Sequence, residues 1–210
     1  MTVSGTIVGY DPGGNNAHGL AVVSCKDGEI EEIQVSTHPT TYSILSEIFS
    51  LHNVIAIGID TLTCWSSGPS GWRPADRWLK NKYPSITNSV VSANSLFGSM
   101  GLNGMSVLIK LREAFPRLSI SETHPKVLYF QLAKKKYNYM DCHEEMDKFL
   151  SSLIGQNIST TNDHEWDALI SVYAMLCGAL SIWTNDLHTI DTEADEELIT
   201  PCGSTNYWWP

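Results

Sequence analysis

Apolar positions group early in the chain into short runs bounded by turn residues. "GTIVGYD" (5–11) is apolar, rich in β-formers, and stops at Asp11 before the turn signal "PGGNN". "HGLAVVSC" (18–25) reads as a second strand. After "KDG" comes "EIEEIQVST" (29–37), a third strand with period-two character. The three predict an antiparallel meander. "TTYSILSEIFSLH" (40–52) then switches to helical spacing, with apolar residues at 44, 45, 48, 49 and 51. "VIAIGID" (54–60) is a continuous apolar run ending on Asp60, as expected of a strand buried on both faces and running parallel to its neighbour.

Beyond this point loops and helices alternate. Residues 61–72, "TLTCWSSGPSGW", predict a long loop, 73–83 a short helix and 103–115 a longer one behind a Gly-rich entry. "RLSISETHP" (117–125) predicts a short strand carrying Glu122. Pro125 suits the first position of a following helix, and 141–154 predicts another. Residues 163–183, "DHEWDALISVYAMLCGALSIW", are apolar on nearly every side, so this helix should lie deep in the protein. The order is that of an α/β layer with a mixed sheet. The tail (184–210) is acidic to about 197 and ends "YWWP". It is expected to be partly loose, with its terminal aromatics packing on the 1–183 domain.

Size and composition narrow the class. A chain of 210 residues with 42% hydrophobic content can form one sizeable core. No run approaches a membrane span, and the N-terminus lacks the basic and apolar segments of a signal peptide, so a soluble cytoplasmic protein is expected. The five cysteines, Cys25, Cys64, Cys142, Cys177 and Cys202, are scattered without a C-x-x-C pair, which argues for reduced thiols and against structural zinc. The net charge of −10 opposes broad attraction to nucleic acid. Acids that bind divalent cations reverse that sign locally.

Candidate chemistry lies in the acids. Asp11, Asp60 and Glu122 each sit at a strand end, and Asp163 and Asp167 open the buried helix. In open α/β sheets the functional crevice lies outside the carboxyl ends of the strands. Carboxylates gathered there raise one another's pKa unless cations compensate them, and Mg²⁺ and Mn²⁺ prefer oxygen ligands. Two such ions can activate a water and stabilise the leaving oxygen of a phosphodiester. Taken singly, each acid has a simpler explanation: Asp11 as a turn residue, Asp60 as a loop cap, Asp163 and Glu165 as complements to a helix N-terminus. Asp167 is the hardest to explain that way, because burying an unpartnered carboxylate is costly. His164, three residues earlier, shares its helix face, open to reading as a metal-edge ligand, a proton donor or a surface histidine of the first turn.

Together "IVGYDPGG", "IGIDTLTCWSSGPSGWRPADRWL", "SETHPKVLYFQL" and "DHEWDALISVYAM" resemble a family of RNase H-like nucleases grouped as a domain of unknown function. The likeness spans about 5–180. "HEWDAL" is also similar to the Holliday-junction resolvases of that superfamily, which open their last helix with His-x-x-Asp. The resemblance implies a five-stranded mixed sheet in the order 3-2-1-4-5. It implies Asp11, Asp60, Glu122 and Asp167 as ligands of two Mg²⁺ or Mn²⁺ ions, with Asp163 beside them and His164 assisting. Pro12 departs from the small residue usual there. The segment 61–78 is unusually aromatic, and Trp65, Trp72, Arg73 and Arg77 are candidates for stacking bases and holding phosphates, or else a lid on the sheet. The expected function is hydrolysis of DNA or RNA. A homodimer or protein partner is also open, as are two competing classes: a non-catalytic interaction module of the same fold, and a nucleotide binder of the actin or sugar-kinase type.

Overall fold

The computed structural model describes residues 3–14, 16–95, 98–193 and 196–210. Strands β1 (Gly5–Asp11), β2 (His18–Lys26) and β3 (Glu29–His38) form the expected meander, with Asp11 opposite Gly19 and His18 opposite His38. Helix α1 (Thr41–Ser50) follows, its start closed by a capping box between Thr40 and Ser43. Strand β4 (Val54–Ile59) returns parallel to β1, and β5 (Ser119–Glu122) lies parallel to β4, pairing Ile59 with Glu122. The sheet order is β3-β2-β1-β4-β5, flanked by helices: the mixed five-stranded α/β sheet whose order the resemblance implied.

The remaining helices are α2 (Pro74–Lys82), α3 (Ser99–Ala114), α4 (Pro125–Ala133), α5 (Tyr139–Ile154) and α6 (Asp163–Ala179). Alternation along β1 explains why its sequence is apolar throughout. Ile7 faces the layer of α6, with Ala168, Leu169 and Val172. Val8 and Tyr10 face the opposite layer, with Ile44 and Ile48 of α1 and Val107, Leu108 and Leu111 of α3. Both faces of the central strands are therefore covered, which removes any solvent-facing polar register. No helix among the described residues is long and apolar enough to cross a membrane.

Two boundaries differ from expectation. Helix α3 starts at Ser99, taking in part of the Gly-rich entry. Helix α6 stops at Ala179 rather than 183: Ser181 adopts a left-handed backbone (φ 57°), and the N–H groups of Ile182 and Trp183 turn back to the Cys177 carbonyl.

The described part of the tail is packed down rather than loose. Asn185–Asp186 pairs with Trp208–Trp209, and Leu198–Ile199 pairs with Trp65–Ser66 of the long loop. Asn206 extends the sheet beyond β5: its N–H donates to the Ile120 carbonyl, and its own carbonyl accepts from the Glu122 N–H at 2.8 Å. Tyr207 and Trp209 are buried, and the Trp209 indole donates to the Tyr83 hydroxyl at 2.9 Å. Burial of such large side chains outweighs the cost of ordering the segment that carries them.

Candidate metal centre

Three aspartates reach the carboxyl edge of the sheet by different routes. Asp11 is the last residue of β1. Asp60 immediately follows the neighbouring parallel strand, and its N–H donates to the Tyr10 carbonyl at 3.0 Å, so the two acids leave adjacent strands side by side. Asp167 arrives on α6, whose backbone rests directly on glycines of the sheet. A Cβ at Gly9 would lie 1.9 Å from the Ala168 carbonyl oxygen. At Gly19 it would lie 1.9 Å from the His164 carbonyl oxygen, and at Gly58 2.0 Å from that of Ser171. Any other residue at these positions would push the helix away and lift Asp167 off the edge.

Helix α6 begins with its own cap. Asn162 accepts from the Glu165 N–H at 3.1 Å. The Glu165 carboxylate is held by the Thr37 and Thr161 hydroxyls and by the Thr161 N–H. Those acidic positions thus serve the helix start. Asp163 is exposed on the first turn and lies outside the buried group, although its charge raises the carboxyl pKa of Asp11 and Asp167.

The three aspartates are only partly compensated: His164 pairs with Asp11, while Asp60 and Asp167 face no cation in contact among the described residues. Burial raises the Asp11 carboxyl, against the pull of His164, whose Nδ1 is 2.5 Å from Asp11 Oδ2. The hydrogen bond to Asp11 raises His164 in turn, so this pair favours a protonated ring. Burial and the Asp11 charge hold Asp60 well above the usual carboxylate range. Burial, Asp11 and Asp60 do the same to Asp167. Asp167 is 6% exposed; its Oδ1 accepts no geometrically formed hydrogen bond among the described residues, and the Tyr137 hydroxyl, equally unpartnered, is the donor nearest to hand. That hydroxyl is raised first by burial and then by the Asp167 charge. Lys126 is the cation whose field opposes this, lowering both Asp11 and Asp60.

An all-oxygen donor set with an orphaned buried atom and mutually raised carboxyls fits Mg²⁺ or Mn²⁺. No three ligand atoms from Asp11, Asp60, Asp167 and His164 lie mutually within 4.8 Å. The aspartates therefore form no preassembled three-ligand cluster, and an ion here would be held by one or two carboxylates and otherwise by water.

Glu122 does not join them. Arg73 grips both its oxygens, Nη1 to Oε2 at 2.8 Å and Nη2 to Oε1 at 2.6 Å, and also binds Asp76 through Nε and Nη2. The Thr63 N–H and hydroxyl donate to the same Oε2 at 2.9 and 3.0 Å. Burial alone would raise Glu122; Arg73 holds it well below the usual range. Its charge is neutralised by Arg73 and both oxygens accept from the protein, so its expected place as a ligand gives way to a role bracing the edge.

Arg73 is likewise corrected as a phosphate contact. It is 1% exposed and bound to two carboxylates. Arg77 pairs with Glu193 and Glu196 of the tail. Trp72 is partly buried beneath Lys80, whose Nζ lies 4.6 Å from the ring centroid, and Trp65 is partly buried in the ladder with the tail. The aromatic segment fastens the C-terminal tail to the domain.

Sequence reading missed His188. Its Nε2 lies 3.7 Å from Cys64 Sγ and 3.5 Å from Glu122 Oε2, giving the only group of three His, Cys, Asp or Glu ligand atoms within 4.8 Å among the described residues. Arg73 Nη1, 3.5 Å from the same sulfur, already supplies the positive charge there. Burial lowers His188, but its bonds to Cys64 and Glu122 bring it up to about 10. A lone histidine in an acidic tail carries no spacing signal; only tertiary contact brings it to Glu122.

No family model matches the chain, and no curated protein matches it. Among solved structures, the RuvC structure from Thermus thermophilus is 16% identical over 84% of this chain and 96% of its own, with a TM-score of 0.46. The T. thermophilus RuvC in complex with Holliday junction substrate is 13% identical over 83% and 96%, with a TM-score of 0.44.

Proposed function

We propose that the protein is a divalent-metal-dependent nuclease that hydrolyses phosphodiester bonds of DNA or RNA, with Asp11, Asp60 and Asp167 holding two Mg²⁺ or Mn²⁺ ions. The observation that carries this reading is that these carboxylates leave neighbouring elements at one sheet edge with a single histidine, His164, as their ion-pair partner among the described residues, and with Asp60 and Asp167 held well above the usual carboxylate range. A structural role would provide hydrogen-bond donors, as it does for Glu165 and Glu122. Bound ions would supply charge neutralisation, an activated water and stabilisation of the leaving oxygen.

The protein's own residues divide the remaining work. Asp11 orients the His164 ring through Nδ1. His164 is half-buried with a raised proton affinity, which suits it to protonate a departing oxygen at the edge of the site. Glu122, locked by Arg73, braces the end of β5 and the loop at Thr63 beside Asp60. The test is cleavage of a labelled panel of single-stranded, duplex and branched DNA and RNA with Mn²⁺. Asp11→Asn should remove cleavage while leaving the circular-dichroism spectrum unchanged. Cleavage that survives in Asp11→Asn would sink the assignment.

A further inference from the structure

A cavity of about 450 Å³ opens at the first turn of α6, with Asp163 in its wall. Its walls are the 3₁₀ turn at Pro84–Ser89, the first turn of α4 and the segment 136–140 that leads into α5. Two lining residues tie it to the acidic edge. Tyr137 stands beside Asp167, and Lys126, with Nζ 5.7 Å from the Tyr137 ring centroid, acts on Asp11 and Asp60.

The lining has three kinds of chemistry. Lys126 and Lys136 are exposed cations, opposed by the single carboxylate of Asp163, in a chain whose net charge is −10. The Asn88 and Asn138 side chains offer both donors and acceptors. Tyr139, its hydroxyl held by Thr160 at 2.8 Å, contributes a fixed aromatic ring. The volume lies within the roughly 300–1,000 Å³ of pockets that enclose a small molecule. Anion-binding lysines, amides able to read a base edge and an aromatic wall together match a nucleotide.

We infer that this cavity takes one unpaired nucleotide of the substrate strand, its phosphate on Lys126 and Lys136 and its base against Tyr139 and the asparagine amides. The inference rests on the nuclease reading and names the substrate class: strands with an unpaired nucleotide beside the bond to be cut. A base stacked in a duplex cannot enter a pocket of this kind without leaving the helix, whereas an extrahelical or single-stranded one enters at little cost. Lys126 lines the cavity and its field reaches Asp11 and Asp60, so the phosphate next to the pocketed nucleotide would be the one presented to the acids.

The test separates binding from cleavage. Fluorescence anisotropy in EDTA compares the full chain on a duplex, on the same duplex with one extrahelical nucleotide, and on a single strand, with free AMP and dAMP as competitors. The expected result is at least tenfold tighter binding of the two unpaired substrates, reduced fivefold or more by Lys136→Ala and restored by Lys136→Arg. Thermal melting checks that both variants fold, and Asn88→Ala supplies a second lining change expected to act in the same direction. Equal affinity for paired and unpaired substrates, or unpaired binding untouched by both lining variants, overturns the inference. Tight competition by free mononucleotide alone, without oligonucleotide preference, also overturns it in favour of a nucleotide-binding pocket. If unpaired binding holds but Mn²⁺ produces no cleavage, the nuclease reading fails and the pocket stands. If Mn²⁺-dependent cleavage occurs equally on paired and unpaired strands, the reverse is true.

Discussion

A Cβ placed on Gly9 would sit 1.9 Å from the carbonyl oxygen of Ala168, so the backbone of α6 and the centre of β1 are in direct contact. This contact carries Asp167, the residue before Ala168, to the sheet edge where Asp11 and Asp60 end. Gly9→Ala must move the helix or the strand. Overpacking of this kind costs about 1–3 kcal/mol or more. Urea denaturation should show a lowered midpoint, and isothermal titration should show weakened Mn²⁺ binding, because Asp167 shifts with the helix. An unchanged midpoint would mean that the helix does not rest on this glycine.

Asp167→Asn should stabilise the metal-free protein while removing function. The carboxylate is buried among like charges, with its pKa raised by burial, Asp11 and Asp60. A carboxyl that binds its proton more tightly when folded weakens the fold as pH rises above its unfolded pKa. The neutral amide removes that penalty. In EDTA the melting temperature of the variant should exceed that of the wild type at pH 8 and converge toward it at pH 5. Added Mn²⁺ should raise the melting temperature of the wild type more than that of the variant.

Arg73→Ala should be among the most damaging single changes. It would leave Glu122 and Asp76 buried without their cation. Breaking a buried ion pair on one side costs about 3–5 kcal/mol. Chemical denaturation measures the loss, and Glu122→Gln in the Arg73→Ala background should recover part of it. A phosphate-binding Arg73 would instead leave stability unchanged and weaken only substrate affinity.

His188 sets an alkaline limit. Its pKa stands at about 10 in the folded protein, above the ordinary histidine value. A raised histidine stabilises the fold fully below its unfolded pKa, and that contribution is lost as pH rises through the folded one. Melting temperature should therefore fall between about pH 6.5 and about pH 10. His188→Asn should flatten this fall, and its low-pH stability should be the lower of the two. A wild type and variant with parallel pH profiles would show that His188 does not titrate in this range.

Removing residues 207–210 should uncover the core rather than trim a loose end. Tyr207 and Trp209 are each 1% exposed, and Trp209 packs against Trp78 and Tyr83. Loss of these rings should cost several kcal/mol, as aromatic-to-alanine changes in cores do (about 3–5 kcal/mol). Trp209→Phe, which keeps the ring but loses the bond to Tyr83, should cost much less. Tryptophan fluorescence and denaturation midpoints follow both.

Much of this was legible in residue order. The runs 5–11, 18–25, 29–37 and 54–60 appear as strands within a residue or so at each end, because burial on one or both faces leaves a local pattern of apolar positions. Asp11, Asp60 and Asp167 were found as acids at element ends, and parallel pairing of β1 with β4 then sets the first two side by side. The placement of Glu122 and Arg73 was not legible. A carboxylate at a strand end looks the same in sequence whether it faces a cation in solution or a guanidinium from a loop 49 residues away. The role of the tail was hidden for the same reason: Asn206 joins the sheet edge and His188 reaches Glu122 through contacts of long sequence separation, which leave no period.

The sequence by itself determined the α/β order of elements, the buried last helix and the acids at their ends, since each depends on the local alternation of apolar and polar positions. The tertiary structure alone decided which acids share the edge and which are neutralised. Among the described residues, Asp60 and Asp167 are left without a cation in contact because α6, resting on glycines, brings His164 to Asp11 alone, while Arg73 neutralises Glu122. Charge compensation is a property of distances in space, and those are settled only when the chain has packed.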